Sequence, residues 1–118
     1  MRGIRGAVCL TADDPAEMRE AVAELLEAML ERNSIAIDDI VSVILTSTPD
    51  LISAFPAAGA RDFGFVDVPL LCAQEIDVAG ALPRVIRVLM HAECSLNRND
   101  VSHVYLRGAE VLRADLHL

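Results

Sequence analysis

Lysine and tryptophan are both missing from this 118-residue sequence, and aromatic residues make up only 3% of it. Acidic side chains outnumber basic ones by 18 to 10, which gives a formal net charge of −8 at pH 7. Such a chain is repelled by phosphate groups and has few aromatic faces on which bases could stack. These shortages exclude nucleic acids and anionic membrane surfaces as expected partners.

Long hydrophobic runs are also missing. The longest apolar stretches, such as residues 43–45 and 69–73, have the length of a strand and fall far short of the roughly 20 residues that span a bilayer. Acidic residues follow the N-terminal segment closely, so no signal peptide is expected. The sequence therefore predicts a cytoplasmic protein, and its length predicts one domain spanning residues 1–118.

Common catalytic and metal-binding motifs are absent as well. The three cysteines are widely spaced and the three histidines lack metal-ligand spacing, so neither a disulfide framework nor a metal site is indicated. There is no Gly-rich phosphate loop and no serine nucleophile elbow. We predict no metal and no cofactor. A nucleophilic pair of Cys72 and His103 stays open as an alternative, although free cysteines are more often inert core residues.

What the sequence does contain is a large apolar fraction, 53%, which is enough for a packed core. The clearest element is a helix that begins at Asp14 as N-cap, with Pro15 in its first turn, Glu17 closing a capping box and Asn33 at its end. Its apolar residues recur every three or four positions, and its glutamates fall on the opposite side. This pattern predicts a long amphipathic helix.

The rest of the chain predicts an α/β domain with a mixed sheet and two main helices. Strands are predicted at residues 2–10, 40–46, 66–72, 103–106 and 110–112. A short helix is predicted at residues 57–63, ending at Gly64, and a second main helix from Pro83 onward. Two helices cover only one face of such a sheet, while several strands are apolar on both faces. We therefore expect a homo-oligomer.

All ten basic residues are arginine. GC-rich codon usage explains this bias, and so does planar, bidentate recognition of carboxylates or phosphates. Several arginines lie at the edges of predicted elements and, together with Glu75 and Tyr105, would suit a small polyanionic ligand that is held and not attacked. These arginines are Arg5, Arg61, Arg84, Arg87 and Arg113. The alternative for each is a solvated side chain or a surface ion pair, which contributes about 0–1 kcal/mol.

An ordered set of short motifs then resembles a known family. The motifs are Arg2-Gly3-Ile4-Arg5-Gly6-Ala7, Thr48-Pro49-Asp50-Leu51, Ala54-Phe55-Pro56-Ala57, Val68-Pro69, Cys72-Ala73-Gln74-Glu75, Ile86-Arg87-Val88, His103-Val104-Tyr105-Leu106 and Val111-Leu112-Arg113-Ala114-Asp115-Leu116. In this order they resemble the monofunctional chorismate mutases of the trimeric α/β class. The resemblance runs from residue 2 to about residue 116.

This resemblance implies a homotrimer that forms a pseudo-α/β barrel, with active sites between neighbouring subunits. It also implies the cofactor-free Claisen rearrangement of chorismate to prephenate, a step of aromatic amino-acid biosynthesis. A pericyclic reaction needs no nucleophile, metal or general base, which agrees with the motifs that the sequence lacks. Chorismate is a dicarboxylate, and the arginines of the sequence are suited to bind its two carboxylates.

The resemblance also implies roles for single residues. Arg87 would face the ether oxygen and a carboxylate, Glu75 would accept a hydrogen bond from the ring hydroxyl, and Cys72 would lie at that hydroxyl through its backbone. Arg5 and Tyr105 would bind the substrate. A wall and rim from the adjacent subunit and a C-terminal segment would close the site. The wall and rim comprise Phe55, Ala57 and Arg61, and the closing segment carries Leu112 and Arg113.

Two positions depart from the family pattern. Ala58 stands where the family can carry a lysine, and Leu71 stands where a threonine can lie beside the cysteine. These changes bear on affinity more than on the type of reaction. Two other functions stay open on a similar trimeric fold: an imine or enamine hydrolase that uses activated water, and a non-catalytic sensor of small acids.

Overall fold

The computed structural model describes the backbone of residues 1–117 and the side chains of residues 1–113. Five strands form one sheet: β1 (Arg2–Cys9), β2 (Ile40–Ser47), β3 (Leu70–Gln74), β4 (Val85–Ala92) and β5 (Val104–Leu106). The helices are α1 (Pro15–Arg32) and α2 (Pro56–Phe63), with 3₁₀ helices at Ile37–Asp39, Arg98–Asp100 and Ala109–His117. The strand order is β3-β2-β4-β1-β5. The pairs of β4 with β1 and β2 are antiparallel, whereas β1–β5 and β2–β3 are parallel. The predicted mixed sheet is confirmed.

Helix α1 begins where the sequence predicts. The Asp14 carboxylate accepts a hydrogen bond from the backbone N–H of Glu17 at 2.9 Å, and Pro15 occupies the first turn. The other half of the predicted capping box is wrong, because Glu17 turns away from the N-cap. Its carboxylate accepts hydrogen bonds from the backbone N–H and the hydroxyl of Thr11, at 2.6 and 2.8 Å. Glu17 thereby fastens the preceding turn to the helix.

Both helices pack on one face of the sheet. Gly6 allows α1 to lie close to β1, since a Cβ there would come within 2.5 Å of the sulfur of Met29. Gly59 allows α2 to approach α1 in the same way, with Val22 Cβ only 3.0 Å from where its own Cβ would lie. The core lies between these helices and the sheet. No helix within residues 1–117 combines the length and hydrophobicity that crossing a membrane requires.

The opposite face of the sheet is open in this single chain. Register places Arg5 beside Leu89, Ala7 beside Arg87, and Ile44 beside both Leu89 and Leu71. Leu71 is 62% exposed and Leu89 is 37% exposed. The expected uncovered apolar face is therefore present, and it carries the arginines of β1 and β4.

The predicted helix from Pro83 onward is wrong, because this segment is the central strand β4. Burial along it alternates: Ile86, Val88 and Met90 are buried, whereas Arg87 and Leu89 are exposed. Apolar residues that are spaced for a helix here also satisfy a two-residue period, and β-branched side chains favour the strand. The second helix of the fold is α2, which agrees with the short helix predicted at residues 57–63.

Two predicted strands also differ. The strand predicted at residues 66–72 starts later, at Leu70, and continues to Gln74. The strand predicted at residues 110–112 is wrong, since these residues belong to the 3₁₀ helix Ala109–His117. Gly108, with a φ of +96°, separates that helix from β5. The chain therefore turns back over the end of the sheet and adds no further strand.

Candidate active site

An ion pair on the open face joins two strands of the sheet. Arg87 projects from the middle of β4, and its Nε lies 3.2 Å from Oε1 of Glu75, which follows β3. The other Glu75 oxygen accepts a hydrogen bond from the Thr46 hydroxyl at 2.7 Å. The Glu75 backbone N–H donates to the Ser47 carbonyl at 2.9 Å, which extends the β2–β3 pairing by one residue. Glu75 is therefore held at both its backbone and its carboxylate, and it orients Arg87.

A cavity of about 370 Å³ lies beside this pair. Its charged groups are the guanidinium of Arg5 on β1 and that of Arg87, and Tyr105 on β5 adds a phenol. Its remaining lining is largely apolar and comprises Gly6, Ala7, Ile44, Thr46, Val88, Leu89 and Leu112. Cavities of this size hold small ligands. Two guanidinium groups over an apolar floor suit a small molecule with more than one carboxylate.

A second cavity, of about 500 Å³, shares Arg5 and Tyr105 with the first one. Arg113 and His103 line it, and His103 Nδ1 accepts a hydrogen bond from the Arg5 backbone N–H at 2.9 Å. Burial lowers the pKa of His103, and the positive charges of Arg5 and Arg113 lower it further. The ring is therefore neutral at pH 7 and carries its proton on Nε2.

Phe55 and Cys72 line a third cavity, of about 500 Å³, between β3 and the loop before α2. Cys72 packs against the core, and Phe55 is 75% exposed. The loop is anchored by the Asp13 carboxylate, which accepts hydrogen bonds from the backbone N–H groups of Ile52 and Ser53 at 3.2 and 3.1 Å. A hydrogen bond with the Ser53 side chain, followed by these backbone bonds, lowers the pKa of Asp13.

The alternative pairing of Cys72 with His103 is wrong within one chain. Cys72 lies on edge strand β3, and His103 directly precedes the opposite edge strand, β5. Four strand spacings separate the two edges, which corresponds to roughly 19 Å. No nucleophilic pair can form over that distance.

The predicted site residues therefore fall into groups within the single chain. Arg5, Glu75, Arg87, Tyr105 and Leu112 gather at the first cavity. Arg113 lines the neighbouring cavity, Phe55 and Cys72 line the third, and α2 carries Ala57, which is buried, and Arg61, which is exposed.

Sequence reasoning missed two residues near the cavity. Thr46 holds Glu75, and Ile44 forms part of the apolar floor. The two-residue period of β2 could have identified both residues, because it predicts which side chains share a face of the sheet. Thr46 and Ile44 occupy alternate positions, and register places Thr46 directly opposite Arg87. The misassigned β4 hid this relation.

The fold and the site together define a class: an α+β protein whose helices cover one face of a mixed sheet, and whose open face carries an arginine-lined cavity for a small anion. A family model described as chorismate mutase type I matches residues 1–116. The chain is 50% identical over 117 residues to the chorismate mutase AroH of Thermus thermophilus, covering 98% of this chain and 96% of the relative. It is 40% identical over 119 residues to AroH of Bacillus subtilis (strain 168), covering 100% and 94%.

A solved structure gives the same result. The chain matches a chorismate mutase from Clostridium thermocellum with a TM-score of 0.92 and 42% sequence identity, over 94% of this chain and 99% of that one. The chain belongs to the chorismate mutase type I family, and it is an isomerase of that class. The two other functions left open by the sequence, a hydrolase and a sensor, have no support in these matches.

Proposed function

We propose that the protein converts chorismate to prephenate by a cofactor-free Claisen rearrangement in the cavity between Arg5 and Arg87. The observation that carries this proposal is the Arg87–Glu75 ion pair at the edge of an apolar cavity with a second arginine across it. This arrangement can fix a dicarboxylate and place one cation at a chosen atom of it.

The first task of such a site is orientation. The enolpyruvyl arm of chorismate must lie over its ring so that the two carbons that bond come close together. Arg5, Tyr105 and Arg113 supply donors for the carboxylates, and the floor formed by Ile44 and Leu89 excludes water from the apolar side. Holding one reactive conformer lowers the activation barrier, because the entropy of ordering the substrate is already lost when it binds.

The second task is stabilisation of charge. The C–O bond breaks ahead of complete C–C bond formation, so negative charge grows on the ether oxygen. The Nε of Arg87 is engaged by Glu75, which leaves the four N–H groups on its terminal nitrogens for a ligand. Its side chain is 47% exposed in the single chain, so a ligand can reach it. A fixed cation at this oxygen acts more strongly on the transition state than on the ground state, which raises kcat.

Glu75 has a separate role at the ring hydroxyl of the substrate. Its carboxylate already accepts from Thr46 and lies beside Arg87, yet each oxygen has a further lone pair. Its side chain is only 17% exposed, so its position is well defined. It therefore serves as a fixed acceptor for the hydroxyl and as the support that orients Arg87.

We further assign the protein as a homotrimer whose active sites lie between subunits. The open face carries exposed Leu71 and Leu89, which water contacts in a single chain. Phe55 is exposed on a loop that lies away from the Arg87 cavity. A neighbouring copy that packs against the open face would bury these side chains and bring its own Phe55, Ala57, Arg61 and Cys72 to complete the site. The three free cysteines suit a reducing, cytoplasmic setting.

The test of this function is the rearrangement itself. Purified protein should consume chorismate, followed by its ultraviolet absorbance, and yield an equal amount of prephenate. The product should have the same mass as chorismate, and neither ammonia nor pyruvate should be released, because the rearrangement adds no water and splits off no fragment. Absence of turnover would refute the activity, and release of ammonia or pyruvate would indicate a hydrolase instead.

A further inference from the structure

The second cavity contains a concentration of positive charge of which the proposed reaction uses only Arg5 and Arg113. Three arginines from three separate elements line it: Arg5 from β1, Arg32 from the end of α1, and Arg113 from the C-terminal 3₁₀ helix. They converge in a chain whose formal net charge is −8. Like charges that converge on one cavity repel one another, so an anion placed among them is stabilised.

The carboxylates of the chain do not neutralise this cluster in the part that the structure describes. Arg19, Arg87 and Arg107 each have a carboxylate within 4.0 Å, whereas among the described side chains none lies within that distance of Arg5, Arg32 or Arg113. Among the side chains of residues 1–113, no carboxylate therefore competes with a ligand for these guanidinium groups.

The polar wall of the cavity is also held in place. The buried Asn33, directly after Arg32, donates to the Ser102 carbonyl at 2.9 Å and accepts from the Ser102 N–H at 2.8 Å. Ser102 and the adjacent His103 line the cavity, and His103 is fixed by the Arg5 backbone N–H. These bonds tie α1, β1 and the segment before β5 around one space, so the His103 ring and the backbone from which Arg5 and Arg32 project are positioned before a ligand arrives.

We propose that this cavity is a subsite for a second small oxyanion, a phosphate or a carboxylate, held by Arg32 and His103 and sharing Arg5 and Arg113 with the substrate. The inference rests on the proposed function only in assigning Arg5 and Arg113 to the substrate. An oxyanion bound here draws these two arginines away from the substrate carboxylates. It therefore raises KM and leaves kcat unchanged, because Arg87 and Glu75 lie outside this cavity.

Protonation of His103 at Nδ1 ends its hydrogen bond from the Arg5 N–H, but it adds a positive charge to the cavity and so strengthens oxyanion binding. The groups that face this ring are Arg5 on β1, Arg32 on α1, Tyr105 on β5 and Arg113 on the C-terminal 3₁₀ helix, three of them cations. Burial, followed by the charges of Arg5 and Arg113, lowers the pKa of His103 and favours the neutral ring, and a bound oxyanion offsets this effect. Oxyanion binding should therefore tighten as the pH falls and should raise the pKa of His103.

The first experiment measures KM and kcat with inorganic phosphate or acetate against chloride at equal ionic strength. In the wild type, at least one of the two oxyanions should raise KM with kcat constant. Arg32→Ala should have near-normal kcat and KM without oxyanion, and its inhibition constant for that oxyanion should rise about 10-fold or more. Arg19→Ala, which removes another exposed arginine of α1, is the matched control and should behave like the wild type.

The second experiment does not depend on turnover. The ring resonances of His103 are followed by NMR through a pH titration, with and without phosphate and with and without acetate. An oxyanion that inhibits should raise the His103 pKa in the wild type and in Arg19→Ala, and should do so weakly or not at all in Arg32→Ala.

Three results would overturn the subsite. Equal inhibition of wild type and Arg32→Ala would place the oxyanion in the substrate cavity instead. An effect of both oxyanions no larger than that of chloride would mean general screening, and a His103 pKa unmoved by either oxyanion would mean that none binds there. Failure of the proposed function is distinguishable, because the protein would then lack turnover while the oxyanion still shifts the His103 titration.

Discussion

At the scale of single residues, the proposed chemistry depends on one guanidinium and the carboxylate that holds it. Arg87 has its Nε beside Glu75 and its remaining donors free for substrate. Loss of one preorganised donor to a developing oxyanion costs about 2.7–4 kcal/mol in other enzymes, or roughly 10²–10³ in kcat. Arg87→Ala should lose at least this much in a chorismate assay. Arg98→Ala, an exposed arginine in the 3₁₀ helix before β5, is the control, and comparable activity in both variants would remove Arg87 from its role.

Glu75 allows a graded test, because two substitutions separate its two proposed functions. Glu75→Ala removes both the acceptor for the hydroxyl and the support of Arg87, so turnover should fall severely. Glu75→Gln retains one amide oxygen as acceptor and should be milder. Steady-state kinetics of the two variants give the ordering. If glutamine is as damaging as alanine, the negative charge is essential, and hydrogen-bond acceptance alone does not explain the role.

His103 links the site to pH. Its pKa in the folded state is lowered by burial and by Arg5 and Arg113, so the unfolded chain takes up the proton at higher pH. The stability that the neutral ring contributes is complete above its ordinary pKa of about 6.5 and is lost as the pH falls towards the lowered value. Urea midpoints at about pH 7.5 and 5.5 should therefore differ more in the wild type than in His103→Asn. Equal differences in both proteins would contradict this linkage.

At the scale of elements, helix α1 depends on its N-cap. Asp14 satisfies one of the unpaired N–H groups in the first turn. Asp14→Ala should lower the free energy of unfolding by about 0.5–2 kcal/mol, whereas Asp14→Ser keeps an acceptor and should cost less. Urea unfolding at a fixed protein concentration measures both. Equal stability of the alanine and serine variants would show that the cap contributes little.

The secondary-structure elements also show which sequence patterns predict the structure correctly and which do not. The cap, the proline and the glutamate stripe of α1 act within one segment, so they predicted it correctly. The prediction for β4 was wrong because its apolar residues satisfy a helical period as well as a strand period. These residues are Val85, Ile86, Leu89 and Met90. Only pairing with β1 on one side and β2 on the other, which involves residues far away in sequence, selects the strand. The misassignment also hid the relation between Arg87 and Thr46.

At the scale of the whole molecule, the single chain keeps apart two residues of the proposed site. Arg87 and Phe55 line separate cavities, and shared sites between subunits would join them. Arg87→Ala and Phe55→Asp should each be nearly inactive, the second because a carboxylate at the wall repels the substrate. Subunits of the two variants should be mixed in equal amounts and reassembled, and the mixture should regain about one quarter of wild-type activity. In about one shared site in four, the intact Arg87 comes from one variant and the intact Phe55 from the other.

Two controls accompany the mixing experiment. Each variant reassembled alone should stay inactive, and size-exclusion chromatography should show the same assembly for all samples. No recovery from the mixture, with both variants correctly assembled, would place Arg87 and Phe55 of one site on the same subunit.

Local patterns in the amino-acid sequence were enough to predict helix α1, the use of arginine for every cation, and the resemblance of the ordered motifs to the chorismate mutases. Tertiary structure alone decided which face of the sheet each side chain occupies and which side chains meet. It brought Arg5, Glu75 and Arg87 to one cavity and kept Cys72 far from His103. The physical reason is that strand pairing is a long-range interaction. A shift of one residue in register or a change of period sends every side chain to the other face, and no local pattern records that choice.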